Sequence, residues 1–285
     1  MDISIKGNSG CQIKIANEAD GVFLYKITRD PHYGRRLVCQ AAKQQVASRR
    51  CFGRFYAPAI LGTEQNEKGT CIKMEYVYSK DFIEYFDDAG FDEIHSFCDD
   101  LILFIEEELQ RSPLVTVLPE TFQNKFQEVR CRISANNMVA EAADPLIRCA
   151  TKVFSSLNPL TIPVGICHGD LIFSNMLFTG KGYCLIDFLD SFIESPLIDL
   201  VKIRQDTFFH WSQHLAARRY DSIRLDLIYS KIDCALDSHF TKYGWYRDYY
   251  SVFQLMNLLR ILPYVKDKPT LNLLINGIYI VLHEL

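Results

Sequence analysis

The chain has 285 residues, of which 48% are hydrophobic and 23% are charged, as is usual for a globular protein of one or two domains. Its 31 lysines and arginines against 35 aspartates and glutamates give a net charge of −4, so the composition does not favour nucleic acid as a partner. The longest apolar stretches are interrupted by polar residues or are too short to span a bilayer, so we expect no membrane insertion.

The ten cysteines are scattered between Cys11 and Cys234, without a CxxC pair or a cysteine–histidine cluster of zinc spacing. The opening residues MDISIKGNSG have no apolar core of the kind that a signal peptide carries. We therefore expect reduced and mostly buried thiols in a cytoplasmic protein.

The first thirty residues are typical of β structure, with strands predicted at 11–16 and 22–28. The turn before them contains Gly7, Ser9 and Gly10. Glycine allows a close backbone approach, and consecutive amides in such a turn form an anion-binding concavity for phosphates. An ordinary hairpin turn is the alternative interpretation.

Lys26 lies within the predicted strand 22–28, where a lysine is usually the solvent-facing member of an alternating pattern. A predicted helix follows, in which Leu37, Ala41 and Gln44 fall on related faces. A glycine turn, a strand lysine and a helix, in this order, are typical of the N-terminal lobe of kinase-like folds. There the turn covers the ATP phosphates and the lysine contacts them.

A further strand is predicted at 71–76, and the apolar period then changes from about two to about 3.6. In a kinase-like fold this strand leads into the hinge that holds the adenine edge. Four residues would then line the nucleotide pocket: Met74, Glu75, Tyr76 and Val77. We predict an α+β protein with two lobes, a small antiparallel-sheet lobe at 1–78 and a mostly helical lobe at 79–285.

The segment CHGDLIFSN places His168, Asp170 and Asn175 among apolar residues, and Asp187 follows twelve residues later (187 − 175). Phosphoryl transfer needs a carboxylate that orients and deprotonates the attacking hydroxyl, together with oxygen ligands that hold magnesium against the phosphates. Asp170 suits the first role, and Asn175 and Asp187 suit the second. The alternative is a buried loop whose polar groups satisfy its own backbone.

The stretch from CHGDLIFSN to LIDFLDSFIESPLIDL resembles the aminoglycoside phosphotransferase and choline kinase superfamily, which has a protein-kinase-like fold. The signature H-G-D-x-x-x-x-N, I-D-[FW] and P-x-x-D-[LI] falls on His168, Gly169, Asp170, Asn175, Ile186, Asp187, Phe188, Pro196, Asp199 and Leu200.

The resemblance implies ATP and Mg²⁺ as cofactors and a role for each signature residue. Asp170 would be the catalytic base, and His168 would hold its loop. Asn175 and Asp187 would bind magnesium, and Lys26 would contact the phosphates. Asp199, at the start of a helix, would brace the catalytic loop by accepting backbone N–H groups, as a carboxylate in that position can.

The sequence departs from the family pattern in the helix after Lys26, which normally offers a glutamate to this lysine. No glutamate lies between residues 35 and 50, where Gln40, Gln44 and Gln45 stand instead. A glutamine can accept a hydrogen bond from the ammonium, but without charge assistance. If one of them faces Lys26, we expect it to be Gln44, with Gln40 and Gln45 as the alternatives.

The acceptor site is sought in the second lobe after Asp199. The candidates are Arg204, Asp206, His210, Trp211 and Arg260. A solvated and partly packed helix is the alternative for each of the first four. The stretch SPLIDLVKIRQDTFFHWS also resembles bacterial phosphotransferases associated with surface-polysaccharide biosynthesis, which implies a sugar or sugar-derived hydroxyl.

These observations favour an ATP-dependent phosphotransferase acting on a hydroxyl of a small metabolite, such as a sugar, a sugar derivative or an amino alcohol. The alternatives are a nucleotide-binding pseudokinase or scaffold and an aminoglycoside-type antibiotic kinase. A protein kinase is disfavoured, because no D-F-G and A-P-E pair frames an activation loop.

Overall fold

The computed structural model describes residues 3–6, 11–50 and 53–285. The predicted phosphate turn with Gly7, Ser9 and Gly10 lies outside the described residues. The strands are β1 (Ile3–Lys6), β2 (Gln12–Glu18), β3 (Gly21–Thr28), β4 (Phe55–Tyr56), β5 (Ile60–Asn66), β6 (Gly69–Glu75), β7 (Leu114–Val117), β8 (Leu160–Pro163), β9 (Met176–Thr179) and β10 (Gly182–Leu185).

The described α-helices are α1 (Pro31–Ser48), α2 (Phe82–Asp88), α3 (Phe91–Leu109), α4 (Pro119–Ser134), α5 (Ala140–Ser155), α6 (Pro196–Thr207), α7 (Trp211–Leu215), α8 (Ser222–Phe240), α9 (Gly244–Ile261) and α10 (Lys268–Glu284). Short 3₁₀ turns cover Phe173–Asn175 and Leu262–Tyr264.

Contacts between residues group the chain into two compact units. Unit 1 comprises the described residues up to Phe104 together with Phe173–Asp190, and unit 2 comprises Ile105–Ile172 and Ser191–Leu285. This grouping follows contacts and not the order of the chain. The division into lobes at residue 78 stays a prediction.

Unit 1 is built on a five-stranded antiparallel sheet with the strand order β1-β2-β3-β6-β5. Helix α1 packs against this sheet, where Leu37 and Ala41 meet Ile72 and Met74 of β6 in a buried apolar cluster. Asp30 caps the first turn of α1 by accepting from the backbone N–H of His32. Helix α1 therefore covers one face of the sheet at the strand β6.

A smaller sheet in unit 1 joins distant parts of the chain. Strands β9 and β10 form an antiparallel hairpin, and β10 pairs in parallel with the short strand β4. The rings of Phe55 and Tyr183 lie 4.9 Å apart, and Phe97 and Phe178 pack around them. This aromatic core packs the hairpin against the rest of unit 1.

Unit 2 contains the helices α4 to α10 and the two-stranded sheet of β7 and β8. Helix α6 is buried on every side, since eleven of its twelve residues are buried and Lys202 is the exception. A helix that is buried all round lies in the core of its domain. Residues on different faces of α6 are therefore held rigidly.

The predicted α+β class is confirmed, and one predicted boundary differs. Strand β2 covers Gln12–Glu18 and so continues past the predicted end at residue 16. Helix α1 begins at Pro31, because proline is well suited to a first helical position and Asp30 supplies the cap.

The nine described cysteines are free thiols, but the expectation that they are mostly buried is wrong. Cys39, Cys131, Cys149 and Cys234 are exposed. Among the described residues, no helix has both the length and the apolar character needed to cross a membrane.

Candidate active site

Lys26 and Asp187 form an ion pair in unit 1. The Lys26 ammonium donates to Oδ1 of Asp187, although 161 residues separate the two in sequence. The side chain of Lys26 is 13% exposed and that of Asp187 is 47% exposed. Lys26 lies on the central strand β3, whose neighbours β2 and β6 fix its position. The predicted lysine is thus placed against one of the two predicted metal ligands.

The hairpin of β9 and β10 brings Asn175 close to Asp187. Met176 and Leu185 form the first pair of the hairpin, and the N–H of Ile186 donates to the carbonyl of Asn175 at 3.0 Å. Asn175 and Asp187 therefore flank the open end of the same hairpin. Asp187 has φ = 62°, a left-handed conformation that aspartate tolerates better than most residues.

Asn175 and Asp187 are suited to magnesium. Both side chains offer hard oxygen donors, and Mg²⁺ usually takes one or two protein oxygens and completes its shell with phosphates and water. No group of three or more histidine, cysteine, aspartate or glutamate residues that could hold a metal occurs among the described residues. This donor set therefore fits a magnesium ion held with a nucleotide better than a metal enclosed by protein ligands.

The predicted hinge begins where β6 leaves the sheet. The last residue of β6 to pair with β3 is Glu75, opposite Phe23. Met74 is buried, and Tyr76 and Val77 continue outside the strand and are half-buried. Because Tyr76 and Val77 lie beyond the ladder, their backbone groups are not committed to strand pairing. This is what recognition of an adenine edge by the main chain requires.

Gln44 does not bond to Lys26. It is 3% exposed, and its Nε2 donates to the carbonyl of Pro58 at 2.9 Å and lies 3.9 Å from Sδ of Met74. The expectation that Gln44 faces Lys26 is therefore wrong. In the described residues Asp187, and not a residue of α1, supplies the hydrogen-bonding partner of Lys26.

The first part of the predicted catalytic loop, from His168 to Asp170, lies in unit 2, where Asp199 holds it. Asp199 is fully buried, and its carboxylate accepts from the N–H groups of His168 at 2.5 Å and Gly169 at 2.7 Å. Gly169 has φ = 86°, which favours glycine. The N–H of Asp170 donates to Nδ1 of the buried His168 at 3.2 Å. The loop is thus fixed on both sides of Gly169.

Helix α6 presents Asp199 to this loop. Ser195 caps the helix by accepting from the N–H of Leu197, while its own hydroxyl donates to the carbonyl of Pro163 at 2.6 Å. A carboxylate in the first turn is favoured by the helix dipole. The cap and the dipole together hold the Asp199 carboxylate where the loop needs an acceptor.

Lys202 is a charged neighbour of Asp170 that the sequence analysis missed. Its Nζ lies 3.0 Å from Oδ1 of Asp170, and the two side chains are 13% and 18% exposed. The sequence did contain a signal, because Lys202 follows Asp199 by three residues and so shares its helix face.

The predicted acceptor residue Arg204 makes four hydrogen bonds within unit 2. Its guanidinium donates to both carboxylate oxygens of Asp233, at 2.8 and 2.9 Å, and to Asp237 and Tyr246, each at 2.7 Å. Arg204 lines a cavity of about 350 Å³ in unit 2, together with Tyr250. Its four donor contacts anchor α6 to α8 and α9.

The other four predicted acceptor residues also lie in unit 2. The buried Asp206 accepts from the N–H and the hydroxyl of Ser212. His210, with φ = 59°, precedes α7, and Trp211 opens that helix. The fifth residue, Arg260, lies 5.6 Å from the ring centroid of Phe192. An acceptor role for this set stays a prediction.

The sequence matches a family model described as "Phosphotransferase enzyme family" over residues 13–227. The chain belongs to this family. A search of curated protein sequences gives no match.

Three solved structures illustrate the fold of this phosphotransferase. A candidate fructosamine-3-kinase from Thermobifida fusca YX-ER1 is 14% identical with a TM-score of 0.64, and the match covers 99% of this chain and 93% of that one. Choline kinase from Cryptosporidium parvum Iowa II is 11% identical with a TM-score of 0.59 and coverages of 100% and 88%. A spectinomycin phosphotransferase in complex with ADP and spectinomycin is 10% identical with a TM-score of 0.57 and coverages of 100% and 93%. These likenesses confirm the predicted kinase-like fold, and the match to the family model confirms the predicted superfamily.

Proposed function

We propose that this phosphotransferase moves the γ-phosphate of ATP to a hydroxyl of a small metabolite with the help of magnesium. The observation that carries the proposal is the ion pair of Lys26 with Asp187, flanked by Asn175. This pair supports the proposal, because phosphoryl transfer requires a cation that contacts the phosphates and oxygen ligands that hold a metal ion.

Each residue has a stated part in the proposed reaction. Lys26 binds the nucleotide phosphates. Asn175 and Asp187 would hold the magnesium ion, which neutralises charge on the phosphates when it is bound. Asp170 orients the acceptor hydroxyl and accepts its proton as the new phosphate ester forms. Asp199 keeps the backbone of the catalytic loop in place by accepting from His168 and Gly169.

The nucleotide assignment is supported by similar proteins and by the hinge. The spectinomycin phosphotransferase was solved with ADP, and this chain has the same fold. Met74, Glu75, Tyr76 and Val77 lie at the end of β6 and just beyond it, where a main-chain contact to adenine is available. ATP is therefore the proposed phosphate donor.

A sugar, sugar derivative or amino alcohol is the proposed acceptor. Similar structures include proteins named for fructosamine, choline and spectinomycin, which all carry hydroxyl groups. Arg204 and Asp206 are engaged in contacts within unit 2. We place more weight on His210, Trp211 and Arg260 as residues for the acceptor, because they are only half-buried and so can reach a bound molecule.

The second candidate function is a nucleotide-binding protein with little or no turnover. One observation favours it, because α1 offers Lys26 no carboxylate and Gln44 bonds to Pro58 instead. The Lys26–Asp187 contact argues for the enzyme, since it supplies a charged partner without a glutamate on α1.

An acceptor screen tests the proposal and separates the two candidates. Purified protein with magnesium and ATP is given sugars, amino sugars, choline, ethanolamine, fructosamine, aminoglycosides and peptides, and ADP release is followed. We expect one class of small hydroxyl compound to raise ADP release at least about tenfold above the rate with water. ATP binding without acceptor-stimulated turnover would favour the second candidate, and stimulation by peptides alone would indicate a protein kinase.

A further inference from the structure

Lys202 is the one residue of α6 that is not classed as buried, although its side chain is only 13% exposed. Its ammonium reaches Oδ1 of Asp170 at 3.0 Å, and the Asp170 side chain is 18% exposed. Because both groups are largely removed from water, neither is stable there without a partner of opposite charge. The pairing is therefore specific, unlike most ion pairs on a protein surface.

A second contact limits where the Lys202 side chain can go. Its Nζ lies 3.4 Å from Oε1 of Gln205, and the same oxygen accepts from Nδ2 of Asn257 at 2.8 Å. Gln205 is 1% exposed and Asn257 is 3% exposed. The ammonium is thus held between a buried amide network and the carboxylate of Asp170.

Asp199 and Lys202 act on the same loop from one face of α6. Asp199 fixes the backbone at His168 and Gly169, while Lys202 contacts the side chain of Asp170. A backbone anchor alone leaves the two side-chain torsions of an aspartate free to rotate. A fixed cation at one carboxylate oxygen removes most of that freedom and so sets the direction of the whole group.

We propose that Lys202 is the residue that positions the Asp170 carboxylate for phosphoryl transfer. This inference rests on the proposed function, in which Asp170 meets the acceptor hydroxyl. Misplacing a catalytic group by about 1 Å costs on the order of 100-fold in rate, so a side chain that only orients the base has a large effect on turnover.

The test is a double-variant comparison of turnover. ADP formation is measured at saturating magnesium ATP with the acceptor that gives the highest rate in the screen. Lys202→Met should lower kcat about 100-fold while the KM for ATP changes less than about threefold. In an Asp170→Asn background the same change should cost less than about threefold, because Lys202 acts through the carboxylate that is already gone.

Two further variants separate positioning from a general effect on folding. Lys202→Arg should recover kcat to within about tenfold of wild type, since it keeps the charge with a different geometry. Lys152→Met is the matched control, because Lys152 is an exposed lysine on helix α5 of the same unit, and its turnover should match wild type. Thermal melts report whether each variant is folded. If Lys202→Met fails to fold, Lys202→Gln replaces it, because it removes the charge but leaves a polar end for the buried site, and it should lower kcat at least about tenfold.

The outcomes distinguish this inference from the proposed function. An active wild type whose kcat falls less than about threefold in the folded Lys202→Met variant would overturn the inference alone. An equal loss in the wild-type and Asp170→Asn backgrounds would do the same, because it would show a structural role. A wild type that forms no more ADP than Asp170→Asn on every acceptor would overturn the proposed function, and the inference with it.

Discussion

The Lys26–Asp187 ion pair is open to solvent at its Asp187 end. The side chain of Asp187 is 47% exposed, whereas that of Lys26 is 13% exposed. Solvent at the carboxylate weakens the attraction between the two charges. In the proposed function, Lys26 turns from this pair to a phosphate, and Asp187 turns to the metal ion.

Asp187→Ala should weaken binding of magnesium ATP at least about tenfold, because the variant would lose one of the two oxygen ligands proposed for the magnesium ion. Binding of ATP without magnesium should hold or tighten, since Lys26 loses its competing carboxylate. Isothermal titrations with magnesium and with a chelator measure both constants.

Asp190→Ala is the matched control for Asp187→Ala, because Asp190 is an exposed aspartate three residues away in the same unit. It should bind magnesium ATP as the wild type does. If Asp187→Ala changes the two titrations equally, Asp187 does not act through the metal.

Gln44→Glu should destabilise the protein. Gln44 is 3% exposed and donates to the carbonyl of Pro58. A carboxylate in its place cannot donate and would face that carbonyl with a buried negative charge. We expect the free energy of unfolding to fall by about 1–3 kcal/mol at neutral pH, as measured by urea denaturation.

Gln45→Glu makes the same chemical change on the exposed side of α1 and should alter the stability by less than about 0.5 kcal/mol. Equal stability of the two variants would mean that Gln44 is not buried as the structure shows. Tighter ATP binding by Gln44→Glu would revive the idea that this residue faces Lys26.

Helix α6 is the element that assembles the unit 2 part of the candidate site. One face carries Asp199 and Lys202, which hold the backbone and the side chain of the catalytic loop. Arg204 extends from the same helix to Asp233 on α8 and to Tyr246 on α9. Because the helix is buried all round, a shift at one contact is transmitted to the others.

Asp199→Ala should lower the free energy of unfolding by about 2–3 kcal/mol or more, since it leaves the N–H groups of His168 and Gly169 buried without their charged acceptor. Turnover of the folded fraction should fall as well, because the loop that carries Asp170 loses its anchor. Urea denaturation and ADP release measure the two effects.

Asp144→Ala serves as the control for Asp199→Ala. Asp144 forms an exposed ion pair with Arg148 on α5, at 59% and 70% exposure. Removing such a pair should change the stability by about 0.5 kcal/mol or less. A cost for Asp199→Ala no larger than that of Asp144→Ala would show that the brace is not needed.

Elements with a strong local signal were predictable from sequence, and those that depend on distant contacts were not. The spacing of Asp170, Asn175 and Asp187 could be recognised in the sequence because each follows or precedes a short apolar segment. Lys202 was missed although it lies three residues after Asp199. The partner of Gln44 was not predictable, because it depends on where the segment around Pro58 returns to α1.

At the scale of the molecule, the segment Phe173–Asp190 belongs to unit 1, although the residues on both sides of it in the chain belong to unit 2. It follows the catalytic loop in sequence, yet its contacts place it in unit 1. The cause is a non-local pairing, since β10 binds in parallel to β4, and Tyr183 lies opposite Phe55 across 128 residues (183 − 55). Apolar periodicity carries no information about such a partner, so the sequence could not have assigned this segment.

In the proposed function Asp170 accepts the proton of the acceptor hydroxyl, a role that the sequence motif predicts and that the loop held by Asp199 supports. The most direct measurement is transfer of label from ATP labelled at the γ-phosphate into the best acceptor, by wild type and by Asp170→Asn. The wild type should form a phosphate ester only with magnesium present, and Asp170→Asn should do so at least about 100-fold more slowly. ATP binding should change less than about threefold in the variant, because Asp170 is proposed to contact the acceptor and not the nucleotide. Label transfer by Asp170→Asn at the wild-type rate would contradict the account.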